Sequence, residues 1–465
     1  MKINDYNDFI GTKRKHSANH GFDPLPIIAP LFEWQSHVLK WAVKKGRAAL
    51  FEDCGLGKTA QQLEWASQVF RKTGGSVLIL APLAVGEQTR LEGVKFGIQA
   101  SVVSDHSEIG GPGIYITNYE KLEHFDCGDF AGVVLDESSI LKSFTGKTRK
   151  RLTDAFKDTP YRLCCTATPS PNDYTELGQH ADFLGICTPA QMLCTYFIND
   201  TFNTGDWRLK KHAEHEFWKW LASWAACIAK PSDIGFSDDG YDLPELHMTD
   251  ITVEVDQSQE TGDDLFRIAT LSATTMHKEM RLTCPARCDA VAEMVNNSAE
   301  TWIVWCNTNL EADELKARIP DAVEVRGRDK PSVKRTRLAE FSNGDVRVII
   351  TKPSIAGFGL NWQHCWNVAF VGLSYSFEDF YQALRRSYRF GQTREVNAFV
   401  VQAETEGAII KSIQRKIKQH ETMQLSMKKA AAELKTSESE TIDAKIDVTT
   451  TTGDGWTVHH GDCVR

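Results

Sequence analysis

The stretch Phe51-Glu-Asp-Cys-Gly-Leu-Gly-Lys-Thr59 constrains this chain more than any other. It follows the apolar run Ala48-Ala-Leu-Phe51 and leads into Ala60-Gln-Gln-Leu-Glu-Trp-Ala66, so it reads as a buried strand, a glycine turn and the opening of a helix. In that context Gly55 and Gly57 let the backbone wrap a polyphosphate, with several N–H groups and the helix dipole facing it. Lys58 then reaches the outer phosphates, and the Thr59 hydroxyl is placed for Mg²⁺. The strict pattern G-x-x-x-x-G-K-[ST] breaks at its first glycine, where Glu52 stands. A glycine turn capping an ordinary helix has the same local sequence, so the rest of the chain decides between the two.

A chain of 465 residues, 42% of them hydrophobic, divides into two or three domains with real cores. No apolar run approaches the ~18 residues of a membrane span, and the polar start Met1-Lys-Ile-Asn-Asp-Tyr6 lacks a signal-peptide core. The twelve cysteines are scattered and mostly sit inside apolar runs such as Leu163-Cys-Cys165, a usage that points to reduced thiols and a cytoplasmic location. The net charge of −9 argues at first against a polyanionic partner. Residues 231 to 266, however, hold eleven Asp or Glu and no Lys or Arg, and setting those charges aside leaves about +2 for the remainder. Basic clusters remain at Lys142 to Arg151, Arg326 to Arg337, Arg385 to Arg389 and Lys411 to Lys418, each of which is either a solvated helix face or part of a phosphate-binding surface.

Taken in order, residues 1–27 read as a flexible arm. Apolar positions at Leu31, Trp34, Val38 and Trp41 follow a helical spacing. That helix carries Gln35, which is either a plain surface glutamine or one whose amide reads both edges of an adenine. The runs Val77–Ala81, Gly113–Thr117, Val133–Glu137 and Arg162–Thr166 alternate with helical stretches, which predicts a parallel sheet with its ligands at the carboxyl ends of the strands. Asp136 and Glu137 stand at such an end, suited to holding Mg²⁺ and to positioning an attacking water. Thr166-Ala-Thr-Pro169 ends another strand, and His215–Trp224 reads as a tryptophan-rich helix docked on a core. Cys284-Pro-Ala-Arg-Cys288 has no second matching pair, so no zinc site is expected.

A second alternating block starts at Thr301–Trp305 and runs through Ala322–Val325, Val346–Thr351, Val368–Val371 and Asn397–Val401, predicting a second parallel sheet. It carries a glycine loop, Ala356-Gly-Phe-Gly-Leu-Asn361, and a stretch read as one helix over Asp379–Thr393. On such a helix Arg386 and Arg389 share a face, from which a forked guanidinium reaches the γ-phosphate of a nucleotide held by the first domain. Glu404–Leu434 reads as a long, basic, amphipathic helix. The expected division is an arm at 1–27, an ATP-binding domain at 28–200, a helical and acidic insertion at 201–265, a second domain at 266–425 and a tail at 426–465.

The order of these pieces resembles the Swi/Snf-type DNA translocases of helicase superfamily two over roughly residues 28 to 420. The family's D-E-x-G-x-G-K-T is similar to Glu52–Thr59, its D-E-x-H box to Asp136-Glu-Ser-Ser139, its T-G-T-P-x-x-N to Thr166–Asn172, its G-G-L-G-I-N to Ala356–Asn361 and its Q-A-x-x-R-x-H-R-I-G-Q-T to Gln382–Thr393. Ser138 and Ser139 replace the usual A-H, Tyr388 replaces a histidine, and Phe32 stands where a basic residue is common. The resemblance implies an α/β fold of two RecA-like domains in tandem with an ATP cleft between them. It implies ATP and Mg²⁺ held through Gln35, Gly55, Gly57, Lys58, Thr59, Asp136, Gly359 and Gln382, water positioned by Glu137, and Arg386 and Arg389 as arginine fingers. Thr117, Lys142 and Thr166 would contact nucleic acid, and movement along double-stranded DNA is the activity implied. A strand-separating helicase on DNA or RNA, and a nucleotide-gated DNA-binding scaffold for a methyltransferase, are the alternatives. Gly455-Trp-Thr-Val-His-His-Gly-Asp-Cys463 resembles the opening of an amino-type DNA methyltransferase domain, which suggests a relative of the helicase and methyltransferase fusions of phages and mobile elements and a bacterial or phage-infected cytoplasm.

Overall fold

The computed structural model describes residues 19–83, 85–143, 146–199, 207–254, 273–356, 360–443, 449–453 and 456–460. The Gly461-Asp-Cys463 element and most of the N-terminal arm lie outside the described residues. Among the described residues two large sheets, each parallel throughout, are accompanied by two short antiparallel strand pairs.

The first lobe opens with helix α1 (Glu33–Lys45) and strand β1 (Arg47–Glu52), which is buried from Ala48 onward. Helix α2 (Lys58–Thr73) follows the glycine turn. Then come β2 (Ser76–Ala81), the short β3 (Ser101–Val102), β4 (Ile114–Asn118), β5 (Phe130–Asp136) and β6 (Tyr161–Cys165). A small antiparallel hairpin, β7 (Phe197–Asn199) and β8 (Trp207–Leu209), precedes helix α3 (Glu214–Ala222) and strand β9 (Ala225–Ile228). The sheet order is β3-β4-β2-β5-β6-β1-β9, which puts the glycine turn after β1 beside the ends of β5 and β6. The strands expected from the alternating runs are all present.

The second lobe is built on β10 (Leu246–Val253), helix α4 (Cys284–Asn296), β11 (Trp302–Cys306), β12 (Val323–Glu324), β13 (Val348–Thr351), β14 (Asn367–Val371), helix α5 (Phe377–Leu384) and β15 (Val396–Ala403), in sheet order β10-β15-β14-β11-β13-β12. At its centre Arg287 is fully buried; it donates to Glu311 Oε1 (2.9 Å), Val371 O (2.9 Å) and Met280 O (2.6 Å) and pairs with Glu406 (3.3 Å). Two parallel α/β sheets in tandem is the architecture expected of paired RecA-like domains.

The segment 201–265, expected as an insertion, is shared between the sheets. Residues 225–228 form the edge strand of the first and 246–253 the edge strand of the second. Neither is apparent in the sequence, because β9 has only four residues and β10 is half-exposed, with Thr249, Asp250 and Thr252 among its apolar positions.

The last long helix, α6 (Gly407–Asp443), belongs to both lobes. Ile409 and Ile413 sit in the core of the second lobe, whereas Met423, Met427 and Ala430 sit in that of the first, against the cluster that contains Trp218, Leu221 and Trp224. Tyr174 Oη donates to Gln419 O (2.7 Å), Lys416 Nζ to Asn172 Oδ1 (2.8 Å), and Lys428 pairs with Asp233 (3.0 Å). A strand pair, β16 (Thr449–Gly453) and β17 (Trp456–His460), follows. Truncating the buried Met427 to Ala leaves a cavity in the first lobe, and thermal or urea unfolding is expected to show a loss of about 2–5 kcal/mol.

Candidate functional site

The carboxyl ends of β1, β5 and β6 meet the turn-rich segment 385–392 of the second lobe in one cleft. The glycine turn has the geometry its sequence predicts. Gly55 (φ 87°) and Gly57 (φ 77°) are both left-handed, and Gly57 caps α2 directly ahead of Lys58. A side chain at Gly57 would displace the Gln35 amide, and one at Gly55 would crowd the second lobe. A Cβ on Gly57 would lie 2.5 Å from Gln35 Nε2, and one on Gly55 would lie 3.1 Å from the Phe390 backbone N. Lys58 Nζ donates to Glu52 O (2.7 Å) and Asp53 O (2.9 Å) across the loop. Gln35 is buried; its Oε1 accepts from Phe32 N (3.0 Å) and its Nε2 donates to Leu56 O (2.8 Å), so the amide is held against the loop by both ends.

Carboxylates crowd this cleft. Asp136 Oδ1 accepts from Gln62 Nε2 (2.7 Å), and burial raises its pKa against the opposing effects of Gln62 and Lys58. Glu137 is pushed up to about 7, first by burial and then by the charge of Asp136, with Lys58 opposing. Its Oε2 accepts from Thr166 Oγ1 (3.4 Å) and from Gln382 Nε2 of the second lobe (3.3 Å). Glu137 is also the non-glycine residue with positive φ (52°) among the described residues, a conformation that costs roughly 1–2 kcal/mol in an L-residue. Thr59 and Asp136 supply hydroxyl and carboxylate oxygens, the donors that Mg²⁺ takes, so this pair fits that ion. Glu52, in the position of the missing first glycine, is fully buried; its Oε2 accepts from Gln61 (2.7 Å), and burial pushes its carboxyl up to about 7.

The second lobe answers with helix α5 and the turns after it. Two pairs of residues spaced four apart face two parts of the first lobe. Glu378 accepts from Ser139 Oγ and from Lys142 Nζ, and one turn on Gln382 reaches Glu137. Tyr381 Oη donates to Asp53 Oδ1 (2.6 Å), and one turn on Arg385 forms an ion pair with the same carboxylate. Asp53 and the Tyr381 ring keep the Arg385 guanidinium charged despite its burial.

The helix read over Asp379–Thr393 ends at Leu384. The Arg386 carbonyl is taken by Trp362 N (3.0 Å), which removes an acceptor the next helical turn would need, and Gly391 adopts φ 87°. Arg386 and Arg389 therefore sit in consecutive turns, yet both still converge. Each donates through Nη1 to the Leu360 carbonyl, at 2.9 and 3.0 Å. Burial lowers both guanidinium pKa values, and the charge of Glu137 acts on Arg386. Arg389 Nε is buried without a hydrogen-bond partner among the described residues. Gly359 lies outside the described residues.

The three residues expected at nucleic acid are placed differently from one another. Thr166 is fully buried and faces Glu137, Thr117 is buried at the end of β4 with its hydroxyl unpaired among the described residues, and Lys142 is tied to Glu378 with its side chain part-exposed. Ser138 and Ser139 have partners of their own, His180 Nε2 (3.2 Å) and Glu378. Sequence reasoning missed Asp53, Glu378, Tyr381 and Arg385. The i, i+4 spacing of Glu378 with Gln382 and of Tyr381 with Arg385 was the signal that could have found them.

Residues 286–391 match the family model of the helicase conserved C-terminal domain. The match supports the helicase superfamily two resemblance for the second lobe. No curated protein matches the chain. Among solved structures, the SWI2/SNF2 ATPase core of Sulfolobus solfataricus in complex with dsDNA is similar at 19% identity and a TM-score of 0.41, covering 82% of this chain and 90% of that one. No helix among the described residues is long and apolar enough to cross a membrane.

Because Glu52 keeps its proton to about pH 7, against an ordinary value of 4.5, its contribution to stability is full below pH 4.5 and is lost as pH rises through 7. Replacing it with the isosteric amide in Glu52→Gln removes that dependence. The melting temperature of the variant relative to wild type is expected to rise steadily across that window.

Proposed function

We propose that the chain is a Swi/Snf-like ATPase of helicase superfamily two that couples ATP hydrolysis to movement along double-stranded DNA. The observation that carries this reading is the convergence of the two lobes on one cleft. The first lobe brings a phosphate-type loop and the Asp136–Glu137 pair. The second brings Gln382 onto Glu137 and sets Arg389 and Phe390 against Gly55. An orphaned, buried N–H on Arg389 is what a phosphate oxygen would take.

In this reading Lys58 moves from its carbonyls to the outer phosphates, Gln35 reads the adenine, and Arg386 and Arg389 offset charge developing on the transferred phosphoryl group. Glu137, poised near neutrality at the end of β5, orients the attacking water. Mg²⁺ held by Thr59 and Asp136 would neutralise phosphate charge. The acidic segment repels DNA from its own face, which leaves the basic clusters outside the cleft to track the phosphates, since Arg385 to Arg389 line the cleft itself. The methyltransferase-like tail adds a setting in phage or bacterial DNA modification, repair or restriction, with a methyltransferase domain or protein as partner.

The deciding experiment is ATP hydrolysis measured without nucleic acid and with duplex DNA, single-stranded DNA or RNA, with Glu137→Gln alongside. Stimulation by duplex alone, lost in Glu137→Gln, is expected. Unwinding of a plain tailed duplex would point to a strand-separating helicase, and absence of stimulation by any of the three would point to a nucleotide-gated scaffold. Duplex affinity is expected to fall by roughly 10³-fold between about 50 and 200 mM salt if some six phosphates are gripped.

Two variants separate binding from chemistry. Lys58→Ala is expected to lose ATP binding, read with a fluorescent nucleotide. Arg389→Ala should keep ATP binding while turnover falls by roughly 10³-fold or more. Equal loss of both in Arg389→Ala would make that arginine structural.

A further inference from the structure

Tyr241 lies in the acidic segment, away from every motif the sequence singled out, and connects two ends of the cleft. Its hydroxyl accepts a hydrogen bond from Trp34 Nε1 (3.0 Å), and its ring stands edge-on to Trp34 (5.7 Å) and to Phe32 (5.9 Å). Trp34 is buried in α1, next to Gln35. The other face of Tyr241 stacks on Phe390, with ring centroids 4.6 Å apart and planes at 29°.

Phe390 is the neighbour of Arg389. Its backbone N and Cβ lie where a side chain on Gly55 would meet them, at 3.1 and 3.2 Å, and its carbonyl accepts from Gln363 Nε2. The path runs from Gln35 to its chain neighbour Trp34, across the rings of Tyr241 and Phe390, and on to Arg389 as the next residue in the chain; a hydrogen bond joins Trp34 to Tyr241 and a stack joins Tyr241 to Phe390. Offset aromatic pairs of this kind contribute about 0.5–1.5 kcal/mol beyond area burial.

We propose that Tyr241 is a positioning residue that transmits recognition of the nucleobase at Gln35 to the placement of Arg389, so that turnover depends on which base is bound. The proposal rests on the ATPase reading above. Phe32 and Trp34 both stand edge-on to Tyr241, which ties the start of α1 to the turn at Phe390. Without Tyr241 the Asp53–Arg385 ion pair still holds those turns to the loop. The lobes stay together, and the link lost is the one that senses the base.

The test is steady-state kcat and KM for ATP and for GTP in the presence of duplex DNA, on the full chain and on Tyr241→Ala, Tyr241→Phe, Phe390→Ala and the Tyr241→Ala, Phe390→Ala double variant. In the wild type, kcat for ATP should exceed that for GTP. Tyr241→Ala is expected to lower kcat for ATP about tenfold while leaving kcat for GTP unchanged, so that the two converge. Tyr241→Phe keeps the stack and should retain most of the ATP rate. The double variant should be no worse than either single one, the mark of residues acting in series. Tyr241→Leu replaces Tyr241→Ala if thermal unfolding shows the alanine variant to be misfolded. Equal losses for ATP and GTP, or no loss, would overturn the role of Tyr241 while leaving the ATPase reading intact. Absence of ATP turnover in the wild type would overturn both.

Discussion

A carboxylate at the buried end of a strand must either find a partner or give up its charge, because water is no longer there to solvate it. This cleft holds four such groups, Glu52, Asp53, Asp136 and Glu137. The first lobe cannot satisfy them alone. Asp53 takes its cation from Arg385, and Glu137 takes one of its two donors from Gln382, both contributed by the second lobe. The lobes are thus joined where the chemistry is, and the same groups that need neutralising are the ones a polyphosphate and its cation would engage. Any ligand that enters must compete with, or replace, the contacts now holding the halves together.

The contacts differ in what they cost to break. The Asp53–Arg385 pair is almost entirely desolvated, so removing one partner strands the other as an uncompensated buried charge. The Glu137–Gln382 bond, at 3.3 Å, is a weak link between a carboxyl near neutrality and a neutral amide. A cycle that rearranges the cleft can exchange the second kind readily and the first only with a replacement in hand. Strain at Glu137 fits the same pattern, since its left-handed backbone is maintained by surroundings that hold the residue where the lobes meet.

Much of this was legible in the sequence, for identifiable reasons. Strands buried on both faces read as short apolar runs, so β1, β2, β4, β5 and β6 were visible, as were the central strands of the second sheet. The glycine turn was visible because Gly55 and Gly57 must adopt left-handed conformations that other residues resist. Of the edge strands, β12 was visible in the run Ala322–Val325, whereas β3 and β9 are too short to show a pattern and β10 is half-exposed and carries polar residues. The extent of the 379–393 helix was misjudged because the turns after Leu384 are held by a distant part of the chain, with Trp362 N on the Arg386 carbonyl and the Leu360 carbonyl on Arg386 and Arg389, and no local signal records that. The inter-lobe partners Asp53, Tyr381 and Arg385 were hidden for a similar reason. They look like ordinary surface polar residues until the second lobe is placed opposite the first.

Helix α6 begins in one core and ends in another, and the chain also crosses between the lobes through the segment that carries Tyr241. A body tethered at one point can tumble about it in any direction, whereas one tethered at two can turn only about the line that joins them. The pair of crossings therefore restrains the lobes more than either would alone, and it holds the arginine turns opposite the loop they face.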